Sequence, residues 1–191
     1  RTTDFSKIQW FGFDMDHTLA VYKNGPIEKA SFDLALKNLI THRGYSEKIL
    51  DFDYDPLFSV RGLLIDTRVG TILKVDSHRR VRRVFLGRRR LSPDEVNRIY
   101  QNINIRPSLG RYKVMDTLFH LPECSIFASL VEQLLAEGKK NIDYEKIYKD
   151  ILFSIDLCHK DGSLKSLIQK DTPKFVEKNN ELKECLLRLK M

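Results

Sequence analysis

The sequence predicts an α/β protein containing part of a parallel sheet. Three observations lead there. A short apolar run, Ile8-Gln9-Trp10-Phe11-Gly12-Phe13, is bounded by an acidic turn, as an interior strand is. A β-rich stretch from Arg61 to Leu91 is punctuated by turn residues. Helical patterns fill much of the rest, and the last, Asn180 to Lys190, has the place of a helix that leads back into a sheet.

Taken in order, Ser31 to Arg43 places Phe32, Leu34, Leu36, Leu39 and Ile40 at the spacing of an amphipathic helix, which Gly44 ends. Leu63-Leu64-Ile65, Thr71 to Val75 and Val81 to Leu86 are short β runs with turns at Gly70 and Asp76-Ser77-His78, so a small antiparallel sheet is expected. Ser92-Pro93-Asp94-Glu95 starts a helix that runs to about Gln101, with Pro at its first position and Glu three residues after Ser. Further helices are expected over Ile126 to Ala136 and Asp143 to His159, and Pro173 ends one segment or begins another.

The 191 residues, 42% hydrophobic and 31% charged, are enough for one domain with an insertion. No stretch approaches the roughly eighteen apolar residues of a membrane span. The opening Arg1-Thr2-Thr3-Asp4 does not read as a signal peptide. Cys124, Cys158 and Cys185 are far apart and odd in number; they read as buried free thiols in a reducing, cytoplasmic compartment, without zinc-site spacing. A net charge of +7 permits anionic partners without choosing among them.

The chemistry centres on Phe13-Asp14-Met15-Asp16-His17-Thr18-Leu19. Carboxylates held close together repel by roughly 1–4 kcal/mol at 4 Å. A cation must neutralise them, or one must hold a proton. Mg²⁺ takes one or two carboxylates with phosphate oxygens and waters. One Asp can then attack phosphorus while its neighbour moves a proton. An acidic helix-capping turn is the plainer interpretation of Asp-X-Asp alone. The apolar run before it and Thr-Leu after it reverse that balance.

This pattern resembles the first motif of the haloacid dehalogenase-like phosphatases. Phe11 to Lys23, Arg61-Gly62-Leu63-Leu64-Ile65-Asp66-Thr67, Gly70 to Asp76, Asp116 to Glu123 and Asp156 to Lys165 together resemble the cytosolic purine (IMP/GMP-preferring) 5'-nucleotidases, in that family's order. The resemblance implies a partial HAD-like, Rossmann-type core with an inserted α+β cap. Residues 1–60 would be the first part of the core, 61–165 the cap, and 166–191 a helical return to the core. It implies Asp14 as a nucleophile forming an aspartyl-phosphate, Asp16 as general acid/base, both at a Mg²⁺ site that Asp16 joins through its backbone carbonyl, and Thr18 bracing the loop. Asp156, His159 and Lys165 match positions that recognise the nucleoside monophosphate, and Arg88 falls near the base-stacking residue. Leu152 departs from the family's substrate-contacting Arg. The remaining motifs, a Ser/Thr, a Lys and a further acidic pair, would follow Met191, so this stretch alone is expected to be inactive or nearly so.

Arg79 to Arg90 holds seven arginines pointing to both sides of a strand. A solvated charged hairpin ranks first for it. The resemblance adds an effector-nucleotide site there, and nucleic-acid binding ranks last. His78 and His120 read as structural, His17 is given no chemical role, and Lys23 reads as solvated. The competing function is a catalytically silent nucleotidase relative that binds nucleotides or another polyanion. The sequence leaves homo-oligomerisation open.

Overall fold

The computed structural model describes residues 4–107 and 110–189. The expectations for Arg1–Thr3 and for Lys190 fall outside them. The fold is mixed α/β: the described residues form seven α-helices and one five-stranded sheet. The sheet comprises β1 (Leu63–Asp66), β2 (Thr71–Val75), β3 (Val81–Leu86), β4 (Arg89–Arg90) and β5 (Tyr112–Met115) in the order β4-β3-β2-β1-β5, and every pairing is antiparallel.

The expected hairpins are therefore present, and β5 joins them on the free edge of β1, with Leu63 opposite Met115 and Asp66 opposite Tyr112. Leu63, Leu64, Ile65 and Asp66 are all buried, because β1 is an interior strand with both faces covered. One face meets α1 (Asn24–Arg43), α3 (Leu121–Ala136) and α4 (Tyr144–Lys160) around Phe32, Leu36, Ile65, Ile72, Phe127 and Ile151. The other meets α2 (Pro93–Tyr100) around Leu64, Leu73, Val84 and Tyr100. Asp66 is buried there and paid for by pairing: the Arg111 guanidinium donates to both its oxygens at 2.9 and 2.7 Å, and Tyr100 OH donates at 2.8 Å.

Local signals hold well. Gly44 ends α1 at φ 71°, letting the Tyr45 N–H reach Leu39 O. Ser92 and Glu95 form a reciprocal capping box on α2. Asp143 caps α4 through the Lys146 N–H. Two helix starts shift, α1 to Asn24 and α3 to Leu121, while Pro173 begins a segment as expected, the short α6 (Thr172–Phe175) that follows α5 (Ser163–Lys170). The last helix, α7, runs Asn180–Leu189.

Two expectations are corrected. The Ile8–Phe13 run is not a strand and not interior: it is irregular, with Trp10 89% exposed and Phe11, Phe13 and Met15 also exposed. Its pattern suits a strand, but no described strand lies beside it, and a lone strand has no ladder for its N–H and C=O groups. Cys185 is exposed on α7, whereas Cys124 and Cys158 are buried. A helix covered on one side only has room for a thiol on the other.

Candidate active site

Residues 14–20 form a tight turn. The Leu19 N–H donates to Asp14 O at 3.3 Å, Ala20 N–H to Met15 O at 2.8 Å, and His17 N–H to Ala20 O at 2.8 Å. His17 takes φ 56°, which reverses the chain direction there. Asp14, Asp16 and Thr18 are all exposed. Asp14 Oδ1 accepts the Met15 N–H at 2.8 Å, and Asp16 Oδ1 accepts the Tyr22 hydroxyl at 2.7 Å. Burial pushes the Tyr22 phenol up to about 12, with the Asp16 carboxylate adding to the shift.

The turn is fixed from its C-terminal side. Tyr22 pairs with Val176, the Glu177 N–H donates to Val21 O at 2.8 Å, and the Lys23 N–H donates to Phe175 O at 2.7 Å. Lys23 Nζ also reaches Pro173 O at 2.9 Å, so this lysine is tied down rather than simply solvated. Beneath lie Ile27, Cys158, Leu164 and Phe175, a small cluster of their own. On the other side, the His17 ring stands edge-on to Tyr22 at 5.3 Å and tilted against Phe119 at 6.0 Å. His17 and Phe119 line a hollow with Glu28 and Ser31 of α1.

Asp14 and Asp16 each use one carboxylate oxygen in these bonds, and the described residues give their second oxygens no partner. The open Asp14 oxygen fits Mg²⁺, which asks a protein for one or two carboxylates and takes its other ligands from water and phosphate. Among the described residues no group of three His, Cys, Asp or Glu side chains encloses a metal.

The other sequence-derived residues lie apart from this turn. Asp156 and His159 sit exposed on α4, and Asp156 Oδ2 lies 3.9 Å from Lys160 Nζ. Lys165 is exposed on α5. No described hydrogen bond or ion pair links these three to Asp14 or Asp16. Arg88 is held at the hairpin turn: it donates to Asp53 O at 3.0 Å and Ser129 Oγ at 3.1 Å, and its guanidinium stands 5.4 Å from the Phe58 ring centre. Part of the arginine run is matched, since Arg82 meets Asp76 at 2.8 Å and Arg89 meets Glu95 at 3.0 Å. His120 Nδ1 lies 3.2 Å from Asp116, a local structural contact.

Sequence reasoning missed Phe119, Glu28 and Glu123. Phe119 gave a signal, an aromatic within the Asp116–Glu123 block, but its place beside His17 depends on the fold. Glu28 is buried and accepts Tyr54 OH at 2.8 Å. Glu123 is buried and accepts Tyr148 OH at 3.0 Å. Burial pushes the Glu123 carboxyl up to about 7, Asp156 adds to this and the Tyr148 hydrogen bond opposes it.

Fold and site together define a mixed α/β protein carrying an exposed two-carboxylate turn braced by a tyrosine. The model of the 5' nucleotidase family matches residues 1–191, and the chain belongs to that family. It is 31% identical over 188 residues to a 5'-nucleotidase domain-containing protein of Dictyostelium discoideum, covering 96% of this chain and 32% of that protein. To 5'-nucleotidase domain-containing protein 2 of Rattus norvegicus it is 31% identical, covering 96% and 35%, and to that of Homo sapiens 29%, covering 95% and 37%. The chain thus spans about a third of the length of the curated relatives it matches. No described helix is long and apolar enough to cross a membrane.

Proposed function

We propose that this chain carries the nucleophile turn of a 5'-nucleotidase-type hydrolase of nucleoside monophosphates. The observation that carries the reading is the exposed Asp14-X-Asp16 turn, with Asp16 hydrogen-bonded to Tyr22 and Asp14 left with a free oxygen, in a chain of the 5' nucleotidase family. In this reading an Asp14 oxygen bonds to phosphorus as the bond to the nucleoside 5'-oxygen breaks, and the protonated Asp16 gives its proton to that leaving oxygen. Asp16 then takes a proton from the water that releases phosphate from Asp14. Mg²⁺ held by the Asp14 carboxylate and the Asp16 backbone carbonyl would supply charge neutralisation for the phosphoryl oxygens. Thr18 would brace the turn, and Asp156, His159, Lys165 and Arg88 would contact the nucleotide. Phe119, beside His17, offers a ring face for a base.

Phosphomonoester hydrolysis is among the slowest uncatalysed reactions, with enzymatic accelerations up to about 10²¹-fold. Two carboxylates do not supply that, and Lys23, the nearest lysine in sequence, is engaged with Pro173. The reading therefore includes a HAD-like parallel core completed by further chain, with Ile8–Phe13 as one of its strands, and a 191-residue stretch that is nearly inactive alone. Its two buried free thiols suit a reducing, cytoplasmic setting.

The test uses a family protein of full length carrying this chain's residues, assayed on a panel of nucleoside monophosphates with Mg²⁺. Asp14→Asn should lower kcat by at least about 10⁴-fold with the fold intact by circular dichroism. Retained turnover in that variant removes Asp14 as the nucleophile.

A further inference from the structure

We propose that Tyr22 is a positioning residue for proton transfer by Asp16: its hydroxyl fixes the orientation of that carboxyl group, so that Oδ2 is the oxygen presented to the leaving nucleoside, a role that rests on Asp16 being the acid of the reaction proposed above. The two carboxylates of the turn are held differently. Asp14 Oδ1 accepts the N–H of the next residue, Met15, at 2.8 Å, a bond closed inside the turn. Asp16 Oδ1 accepts the Tyr22 hydroxyl at 2.7 Å, and no other described donor reaches the Asp16 carboxylate. Asp16 is exposed. An exposed aspartate free of such a bond turns among the staggered χ1 wells and a broad χ2. Proton transfer needs the acid and the receiving oxygen within about 2.6–3.2 Å, and a misplacement of about 1 Å can lower a rate about 10²-fold.

Tyr22 is itself fixed, and by residues far off in sequence. Its side chain packs on the cluster of Ile27, Cys158, Leu164 and Phe175, and the His17 ring stands edge-on to it at 5.3 Å. Its backbone lies opposite Val176, clamped on either side by the bond from the Glu177 N–H to Val21 O at 2.8 Å and that from the Lys23 N–H to Phe175 O at 2.7 Å. Packing sets the ring, and the hydroxyl at its tip is the part that reaches Asp16. Tyr22→Phe keeps the first and removes the second. As the bond from phosphorus to the nucleoside 5'-oxygen breaks, that oxygen keeps the electron pair and takes the proton from Asp16 Oδ2. Tyr22 keeps its own proton and donates to Oδ1 before and after the transfer. The benefit falls on leaving groups that need a proton. A nucleoside without one must depart as an unstable alkoxide, whereas para-nitrophenolate departs as a stable anion.

The test compares a nucleoside 5'-monophosphate with para-nitrophenyl phosphate in a family protein of full length carrying this chain's residues. The measured quantity is kcat/KM, which reports the steps through departure of the leaving group and leaves out the later release of phosphate from Asp14. Tyr22→Phe is expected to lower kcat/KM for the nucleotide by about tenfold to a hundredfold, and for the aryl phosphate by less than about threefold. In an Asp16→Asn background the same change should add nothing for the nucleotide, since two residues acting as one unit are not additive. An equal loss on both substrates, no loss on either, an additive loss beside Asp16→Asn, or a Tyr22→Phe protein that does not fold would each overturn the proposal and leave the hydroxyl without this role. Asp14→Asn separates the two readings. Turnover in that variant defeats the nucleotidase reading itself, whereas an unaffected Tyr22→Phe beside an inactive Asp14→Asn defeats only the role of Tyr22.

Discussion

Glu123 shows how much a single buried acid can matter. It is 2% exposed, and its carboxyl titrates near 7 in the folded chain against an ordinary value of 4.5. Because the folded-state value is raised, the stabilising preference for the neutral form is fully present below about pH 4.5. It is lost as pH rises toward 7, where the unfolded chain has already ionised. The loss is on the order of 3 kcal/mol. Glu123→Gln keeps an acceptor for Tyr148 OH and removes the ionisation. That variant is expected to flatten the stability profile between pH 4.5 and 7 and to exceed the unaltered chain at pH 8 in urea denaturation. A profile as steep as the original would assign the pH dependence to other groups. Asp14 and Asp16 were legible in sequence because their spacing is itself the signal. Glu123 was not, since one acid in the apolar run Leu121-Pro122-Glu123-Cys124 gives no hint of whether water reaches it.

Turns and caps were equally legible, because their physics is local. Gly44, the Ser92–Glu95 box and the Asp143 cap each depend on a few consecutive residues. β5 was not, because Tyr112–Met115 becomes a strand only through the free edge of β1. Ile8–Phe13 is the converse, a strand-like pattern with no described edge to receive it. The β3–β4 turn adds a contact the sequence could not show. Gly87 takes φ +60°, and a Cβ there would stand 2.8 Å from Glu132 Cβ on α3. Gly138 takes φ +69° with open space around it. Gly87→Ala is therefore expected to cost about 2 kcal/mol in chemical denaturation and Gly138→Ala about 1 kcal/mol. Equal losses would mean that α3 yields to the hairpin without cost.

For the molecule as a whole, burial divides sharply. The three apolar clusters rest on α1 to α6 and the sheet, while Gln9 to Leu19 lies exposed with its aromatic residues. Hydrogen exchange followed by mass spectrometry should find the amides of residues 8–13 exchanging at nearly unfolded rates in the 191-residue chain, with those of β1 and β2 strongly protected. In a full-length family protein the same amides should be protected. Protection of residues 8–13 in the short chain would show a partner strand already present. The family and the two-carboxylate turn could be read from the sequence, but the surface the turn rests on could not, because it is set by the long-range pairing of Tyr22 with Val176.

The anchoring of Tyr22 has a mechanical consequence. The residue holds Asp16 by its hydroxyl, its neighbours Val21 and Lys23 bond Glu177 and Phe175 through their backbones on either side of Val176, and the Lys23 side chain grips Pro173, 150 positions further along. The short connector between α6 and α7 thus acts as a tiller for one carboxylate: a shift there swings the acid, with no residue of the turn itself having changed.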